Sequence, residues 1–528
     1  MESLALRRWL LPLLLALLAG CSGLPQGVER PASQALADAS GTQLAAVAQA
    51  SLGEQQAGDG EAARSGLRLL PAGDHALEAR IALVRHAQRS VDAQYYQIAD
   101  DSSGRQFLRE LRDAAARGVR VRLLVDDLYA GGEDALLAGL AANPGVEVRM
   151  FNPLPARDGG VAARTLLSLH EFSRVNRRMH NKLLVADNAF AISGGRNVAD
   201  AYFERSEPAN FIDMDLLSAG PVVARMSAVF DAYWNSEQAY PVQSLAAQDA
   251  QGEAARLAFD RRMEAQAPAA ELPAGDVDEL GQPPVGAQLR DGRVALSMAA
   301  VRVVADAPQK AAGAEREDGA VMLANLDLLQ AASREVFVAS PYVVPGERAL
   351  MAMRATASRV RVSLVTNSLA TTDEPLAHFG YARYRVALLD MGVNLYELMP
   401  PSVSVQESEA PAASLGRLHA KVAVVDGRWL SIGSMNMDRR SAHSNTEMAL
   451  IVDSPLLASQ ASALLHSQRM PHSYKVRTQQ GGGGERTRLQ WVSTDGERQV
   501  VHASEPSLNW GRRLRLSMIS ALVDEELL

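Results

Sequence analysis

The sequence holds a single cysteine in 528 residues, Cys21, so no disulfide can form within the chain. It lacks a basic excess. Lys and Arg number 53 against 61 Asp and Glu, a net charge of −8, which argues against a dedicated nucleic-acid binder while leaving room for a local basic cleft. No run of 18 consecutive apolar residues occurs, so no segment reads as a membrane-spanning helix. The body therefore lies outside a bilayer, on its surface at most. What is present is ordinary globular material. Apolar residues at 47% and charged residues at 22% suffice for the cores of two or three domains.

The lone cysteine matters more by position than by count. Arg7 and Arg8 precede an apolar stretch from Trp9 to Ala19, which has the length of a signal peptide core. Leu18-Ala19-Gly20-Cys21 resembles the bacterial lipobox, in which the cysteine is acylated and becomes the first mature residue. Acyl chains on Cys21 imply a membrane-anchored lipoprotein. By resemblance to Gram-negative lipoproteins, Ser22 after the cysteine implies the periplasmic side of the outer membrane rather than the inner.

The chain divides into residues 1–21, the signal peptide; 22–65, an Ala-, Gln-, Ser- and Gly-rich linker, read as helical in part; 66–245 and 320–475, two α/β domains; 246–319, a linker or peripheral helical insert between them; and 476–528, a hairpin and a terminal helix. In the first domain Ser90–Tyr96, Val119–Val125 and Val146–Phe151 read as strands, with an amphipathic helix over Gly104–Gly118. The second repeats the scheme with Glu335–Ser340, Val360–Val365 and Val393–Leu398, which an internal duplication explains. Gln479–Gly484 reads as a loop. The run Asn509–Val523, with Arg512, Arg513 and Arg515, fits either a basic helix on an anionic membrane or one docked on the core.

Two segments carry the chemistry. Met179-His180-Asn181-Lys182 leads to Asp187, Gly194, Gly195 and Asn197. Leu418-His419-Ala420-Lys421 leads to Asp426, Gly433, Ser434 and Asn436. Measured from each His, Lys falls at +2, Asp at +7, Gly at +14 and Asn at +17 in both halves. Chance gives one such set on the order of once in 10^5 per His. On a strand, positions i and i+2 share a face, so His and Lys of each copy point together. Asp187-Asn188 and Asp426-Gly427 sit where a hairpin turn reverses the chain. The glycines, with Ser434, are read as allowing backbone close to a ligand. Packed about a pseudo-twofold axis, two His, two Lys and two Asn form one tetrahedral-phosphate site. One imidazole can attack phosphorus while the other protonates the leaving alcohol, and lysines and asparagines stabilise the oxygens. No metal or other cofactor is called for.

Both segments resemble the HKD motifs of the phospholipase D superfamily. The similarity covers roughly 66–245 and 320–470, and is greatest to bacterial cardiolipin synthases of the C type. Asp92–Tyr96, Phe172–His180, Gly194–Phe203, His378–Arg385 and Asn445–Glu447 support it. The resemblance implies a fold of two duplicated α/β domains, each a mixed sheet flanked by helices, with one active site between them supplied by a single chain. It implies phospholipid substrates in a membrane. It makes His180 the nucleophile of a phosphohistidine intermediate and His419 the general acid and base. Glu447, 28 residues after His419, matches the acid that orients a catalytic His. Alignment of Pro221 with Pro455 gives Asp213 that part in the first half. Asp187 and Asp426, at an odd offset from His and at a turn, are read as structural. Arg174, Arg177 and Arg178 fit either anionic head groups or a solvated face. His378 fits either a substrate contact or ordinary packing.

The leading function is phosphatidyl transfer of the cardiolipin synthase kind. Phospholipid hydrolysis shares every catalytic residue. A nuclease fits the acidic balance and the lipid anchor poorly. A non-catalytic lipoprotein is the alternative of another class, and His and Lys intact in both halves count against it.

Overall fold

The computed structural model of the chain describes residues 23–53, 63–246, 251–266, 277–313, 318–400, 416–468, 470–479, 488–495 and 498–506. In the first half β1 (Arg64–Leu70) precedes three parallel strands, β2 (Ser90–Tyr95), β3 (Arg120–Asp126) and β4 (Val146–Phe151). There follow β5 (Leu183–Ala186), β6 (Phe190–Gly194), β7 (Phe211–Ile212), β8 (Asp215–Ala219) and β9 (Ala239–Pro241). Across the sheet the order is β4-β3-β2-β5-β6-β8-β1, with β9 on the β4 edge. The second half contains β10 (Ser297–Ala305), β11 (Glu335–Ala339), β12 (Arg361–Asn367), β13 (Asn394–Leu398), β14 (Arg417–Leu418), β15 (Val422–Val425), β16 (Trp429–Gly433) and β17 (Met448–Asp453). Its order is β13-β12-β11-β15-β16-β17-β10. The two orders match strand for strand. β1 and β10 pair antiparallel, Arg64 opposite Ala300 and Leu67 opposite Ser297, which fuses the halves into one sheet about a pseudo-twofold seam. Three more strands, β18 (Ser473–Gln479), β19 (Arg488–Asp495) and β20 (Arg498–His502), continue past β13.

Local chemistry accounts for the elements. The Ser102–Ala116 helix starts where the Asp101 side chain accepts from the Gly104 N–H. It buries Phe107, Leu108 and Leu111, and the chain turns out of it at Gly118, φ 92°. In β3, Val121, Leu123 and Val125 belong to the core beneath this helical layer. Arg122 alternates with them yet is fully buried. A parallel strand between two layers has no wet face, so its charge is met by Asp92 at 2.7 Å and Asp231 at 2.8 Å, under Phe230 and Trp234. Helices Pro221–Trp234 and Pro455–Gln468 share one core with strands of both halves.

The two connectors hold the helices expected of them, Gln43–Leu52 in one and Gly252–Gln266 and Val285–Arg290 in the other, but both are also built into the body. Within 22–65, Gln43–Leu52 is a helix that buries Leu44, Val47 and Leu52. The chain before it is bound to the body, with Arg122 donating to the Ser33 carbonyl at 3.0 Å and Asp231 accepting from the Ala35 N–H at 2.8 Å. An apolar stripe hidden in an Ala-rich stretch supplies the reason. Within 246–319 lies β10, the seam strand itself; its apolar run is short and flanked by loop-like composition. Cys21 and Asn509–Val523 lie outside the described residues, as does most of Gln479–Gly484. Among the described residues no helix is long and apolar enough to cross a membrane.

Candidate active site

Each His-x-Lys segment leads into a hairpin, β5–β6 or β15–β16. The turns use left-handed backbone, φ 51° at both Asp187 and Asn188, 57° at Asp426 and 65° at Gly427, which suits the tight turns closed by the Ala189 N–H on the Ala186 carbonyl and the Arg428 N–H on the Val425 carbonyl. The Asp187 carboxylate accepts from the N–H groups of Gln88, Arg89 and Ser90 at 2.7–2.9 Å. Asp426 does the same with Ser333, Arg334 and Glu335 at 2.7–3.0 Å. Each Asp thus ties its turn to the start of the neighbouring parallel strand, at the end of the hairpin away from the His.

The histidines and lysines stand in extended chain just before β5 and β15, not within these ladders as expected. The backbone partners of the two histidines come from the other half. Met179 bridges Thr446, and the His180 N–H donates to the Thr446 carbonyl at 2.9 Å. β14 runs parallel to β7 with Leu418 opposite Ile212, and the His419 N–H donates to the Ile212 carbonyl at 2.8 Å. The residue after Thr446 is Glu447, and the residue after Ile212 is Asp213. The acids therefore cross. His180 Nδ1 lies 3.0 Å from Glu447, and His419 Nδ1 lies 2.6 Å from Asp213. The expected assignment of Asp213 to the first half's His and Glu447 to the second's is corrected, because the pairing is made across the seam.

The two pairs are electrostatically unequal. Burial pushes the Glu447 carboxyl up, and Lys182 with the Ser434 hydroxyl only partly offsets it, so it reaches about 7. Burial acts on Asp213 too, but the hydrogen bond and charge of His419, with Lys421 and Arg196, bring it down to about 2. Arg196 stands 16 residues after His180, and the equivalent position after His419 is Met435, so only the first half places a guanidinium beside its acid. Burial and Lys182 hold His180 well below the ordinary imidazole value. Burial and Lys421 lower His419 as well, against the support of Asp213. Burial also depresses both lysines, Lys421 to about 8 and Lys182 well below the ordinary lysine value.

Lys182 Nζ donates to the His180 carbonyl at 2.6 Å, and Lys421 Nζ lies 2.9 Å from His419 Nδ1 and also meets the His419 carbonyl. Asn197 and Asn436 line the same cavity as both histidines, and each leaves a buried amide oxygen without a partner among the described residues. Gly194, Gly195, Gly433 and Ser434, expected beside the ligand, are not part of that lining. They make room for the acid-bearing strands. A Cβ on Gly195 would fall 2.1 Å from an Asp213 oxygen, one on Gly433 would fall 2.2 Å from the Met448 carbonyl, and one on Gly194 would fall 2.3 Å from Asp215. Ser434, in the place of Gly195, donates to Glu447.

The cavity holds about 550 Å³. Tyr96 packs edge-on to His180 at 5.0 Å, and Tyr202 and Phe211 flank His419 at 5.1 and 5.0 Å. Arg440 also lines it, with a buried Nε that has no hydrogen-bond partner among the described residues. The arginines singled out from sequence do not. Arg178 is buried against Asp126, Arg174 is held by Glu171 and Asn152, and Arg177 donates to the Ser173 and Lys310 carbonyls. His378 is buried against Glu505 at 2.7 Å and Arg385 at 2.9 Å, outside the cavity. Two positioning residues were missed. Asp126 accepts from the Met179 N–H, and Asn367 accepts from the Leu418 N–H, each at 2.8 Å. Both close the middle parallel strand of their half, where a polar residue ending an apolar run was the available signal.

A family model described as cardiolipin synthase, PLD-like domain, matches residues 81–234 and 326–468. A protein of Escherichia coli (strain K12) named cardiolipin synthase C is 33% identical over 466 residues, covering 86% of this chain and 94% of its own. A cardiolipin synthase of Geobacillus kaustophilus is 26% identical over 383 residues, 72% of this chain and 61% of its own. Among solved structures, the phosphatidylserine synthase of Haemophilus influenzae Rd KW20 is similar with a TM-score of 0.55 at 13% identity, covering 90% of this chain and 96% of that one. At that identity the likeness shows the fold.

Proposed function

The chain belongs to the cardiolipin synthase, PLD-like domain family, and on that premise we propose that it transfers a phosphatidyl group between phospholipids through a phosphohistidine on His180. The observation that carries the reading is the crossed pair of His–carboxylate contacts in one cavity. A carboxylate on Nδ1 of each ring leaves both Nε2 atoms for substrate. His180, pushed low, offers a neutral nitrogen. His419, facing an ionised Asp213, is the better acid.

In the first step His180 Nε2 attacks phosphorus and the P–O bond to the head-group alcohol breaks. That oxygen takes the proton of His419 Nε2. In the second step an acceptor hydroxyl returns a proton to His419 and attacks the phosphohistidine, freeing His180. Lys182 and Lys421, which burial depresses, are held charged by the phosphodiester anion beside them. Asn197 and Asn436 complete its oxygen contacts. Arg440, on the same lining, is read as the contact for a second phosphate, which fits an acceptor that is itself a phospholipid such as phosphatidylglycerol.

The test uses phosphatidylglycerol with and without phosphatidylethanolamine, with products separated as lipids. Cardiolipin supports transfer. Phosphatidic acid alone means hydrolysis, and no turnover of any phosphodiester would overturn the reading. A labelled phosphohistidine should be trapped in wild type and lost in His180→Asn; loss in His419→Asn alone reverses the two roles. Anchoring through an acylated Cys21 on the periplasmic side is part of the same proposal. Mass spectrometry of the mature N-terminal peptide, compared with Cys21→Ser, tests it.

A further inference from the structure

The segment between β4 and His180 is built inside out. The Val161–Leu167 helix, the turn at Leu169–Glu171 and the Phe172–Val175 helix follow in sequence. In the first helix and the residue after it, the two fully buried side chains are polar, Arg164 and Ser168. Arg164 donates to Asp127 at 2.7 Å and to the Ala156 carbonyl at 3.0 Å, and Ser168 accepts from the Ala156 N–H. The residues left outside are apolar. Leu166 is 66% exposed, Leu167 52%, Leu169 47% and Phe172 40%. Single exposed leucines need no explanation, but four large apolar side chains within seven residues do. In water alone the helix would be expected to turn its leucines inward. A buried ion pair to Asp127 fixes it the other way.

The place of the patch identifies its occupant. Phe172 and Asn176 line the active-site cavity, and with Tyr129 and Glu374 the more exposed lining residues mark its mouth. A protein seated on these leucines would cover that mouth. A bilayer would not, since lipid acyl chains need an apolar phase beside the opening while the head group enters. We propose that Val161–Val175 is a membrane-docking element that inserts Leu166, Leu167 and Leu169 into the lipid surface and sets the cavity mouth against it. The choice of a bilayer rests on the phospholipid reading above.

The experiment uses the full chain with Cys21→Ser and one new cysteine, Leu167→Cys, carrying an environment-sensitive fluorophore. Ser358→Cys, exposed near the start of β12 and so at the opposite end of the parallel strands from the cavity, is the control. Vesicles of phosphatidylglycerol and phosphatidylethanolamine, some with spin-labelled acyl chains, are added. The Leu167 label should shift to the blue and be quenched at least twofold, while the Ser358 label does not change. A Leu167 label that stays water-like on vesicle-bound protein overturns the proposal, as does protein that binds no vesicles. So does a label shielded without lipid as protein concentration rises, which would make a second copy the occupant. Replacing Leu166, Leu167 and Leu169 together by Ser should lower turnover of vesicle lipid tenfold or more, and that of monomeric short-chain phosphatidylglycerol less than twofold. Equal losses would also overturn it. If Leu167 inserts but the wild type turns over neither form of phospholipid, the function reading fails and the docking surface stands.

Discussion

Replacing each acid by its amide should separate the two halves of the site. Asp213, held at about 2, is ionised across the working range, 2.6 Å from His419. Two unit charges with centres about 4 Å apart at an effective dielectric of about 20 interact by about 4 kcal/mol. Asp213→Asn keeps the shape and removes that attraction, so the His419 imidazolium loses its support and its pKa falls further. Burial already holds His419 low, so near neutrality the general acid is lost. The expected fall in rate is about 10^3-fold. Glu447 sits at about 7 and is half protonated at neutral pH. Glu447→Gln imitates its acid form. It should cost about tenfold or less at pH 6 and progressively more above pH 8, where the wild-type carboxylate is ionised.

The assay is single-turnover transfer from a short-chain phospholipid between pH 5 and 9, with far-ultraviolet circular dichroism to confirm folding. Equal losses with the same pH dependence in the two variants would refute the inequality of the pairs. A Glu447→Gln more damaged than Asp213→Asn at pH 6 would refute it as well.

The same value for Glu447 predicts a stability effect. Its folded pKa is raised above the unfolded 4.5, so the folded state holds the extra proton and wild-type stability falls as pH rises from 4.5 through 7. Glu447→Gln should therefore be more stable than wild type at pH 8, by up to about 3 kcal/mol in denaturant unfolding, with no gain at pH 4.5. Asp187→Ala removes the acceptor of three backbone N–H groups and should destabilise by about 3 kcal/mol, leaving kcat per folded molecule within about threefold. Asp426→Ala, at a more exposed turn, should destabilise less in the same unfolding assay. Asn367 both accepts from the Leu418 N–H and donates to the Leu418 carbonyl at 2.9 Å. Asn367→Asp sets an oxygen against that carbonyl and should slow transfer at least tenfold, with kcat falling more than KM changes; an unchanged kcat would deny it a positioning role.

The sequence by itself determined the duplicated α/β halves, the paired His and Lys, the asparagines, and the turn aspartates. Each of these is local, since a two-residue period, a hairpin turn and a fixed offset are written in neighbouring residues. It concealed β10, because nine mostly apolar residues in a loop-like stretch carry no sign that they pair with β1 and β17. It also suggested that Gly194 and Gly195 stand beside the substrate, when their missing side chains make room for Asp215 and Asp213. Only the tertiary structure decided which acid serves which histidine. Thr446 pairs beside His180 and Ile212 beside His419, so adjacency in space runs across the seam while sequence order runs within each half. Burial acts alike on Glu447 and Asp213, and the groups that the fold gathers around Asp213, namely His419, Lys421 and Arg196, made the two unequal in spite of their matching places.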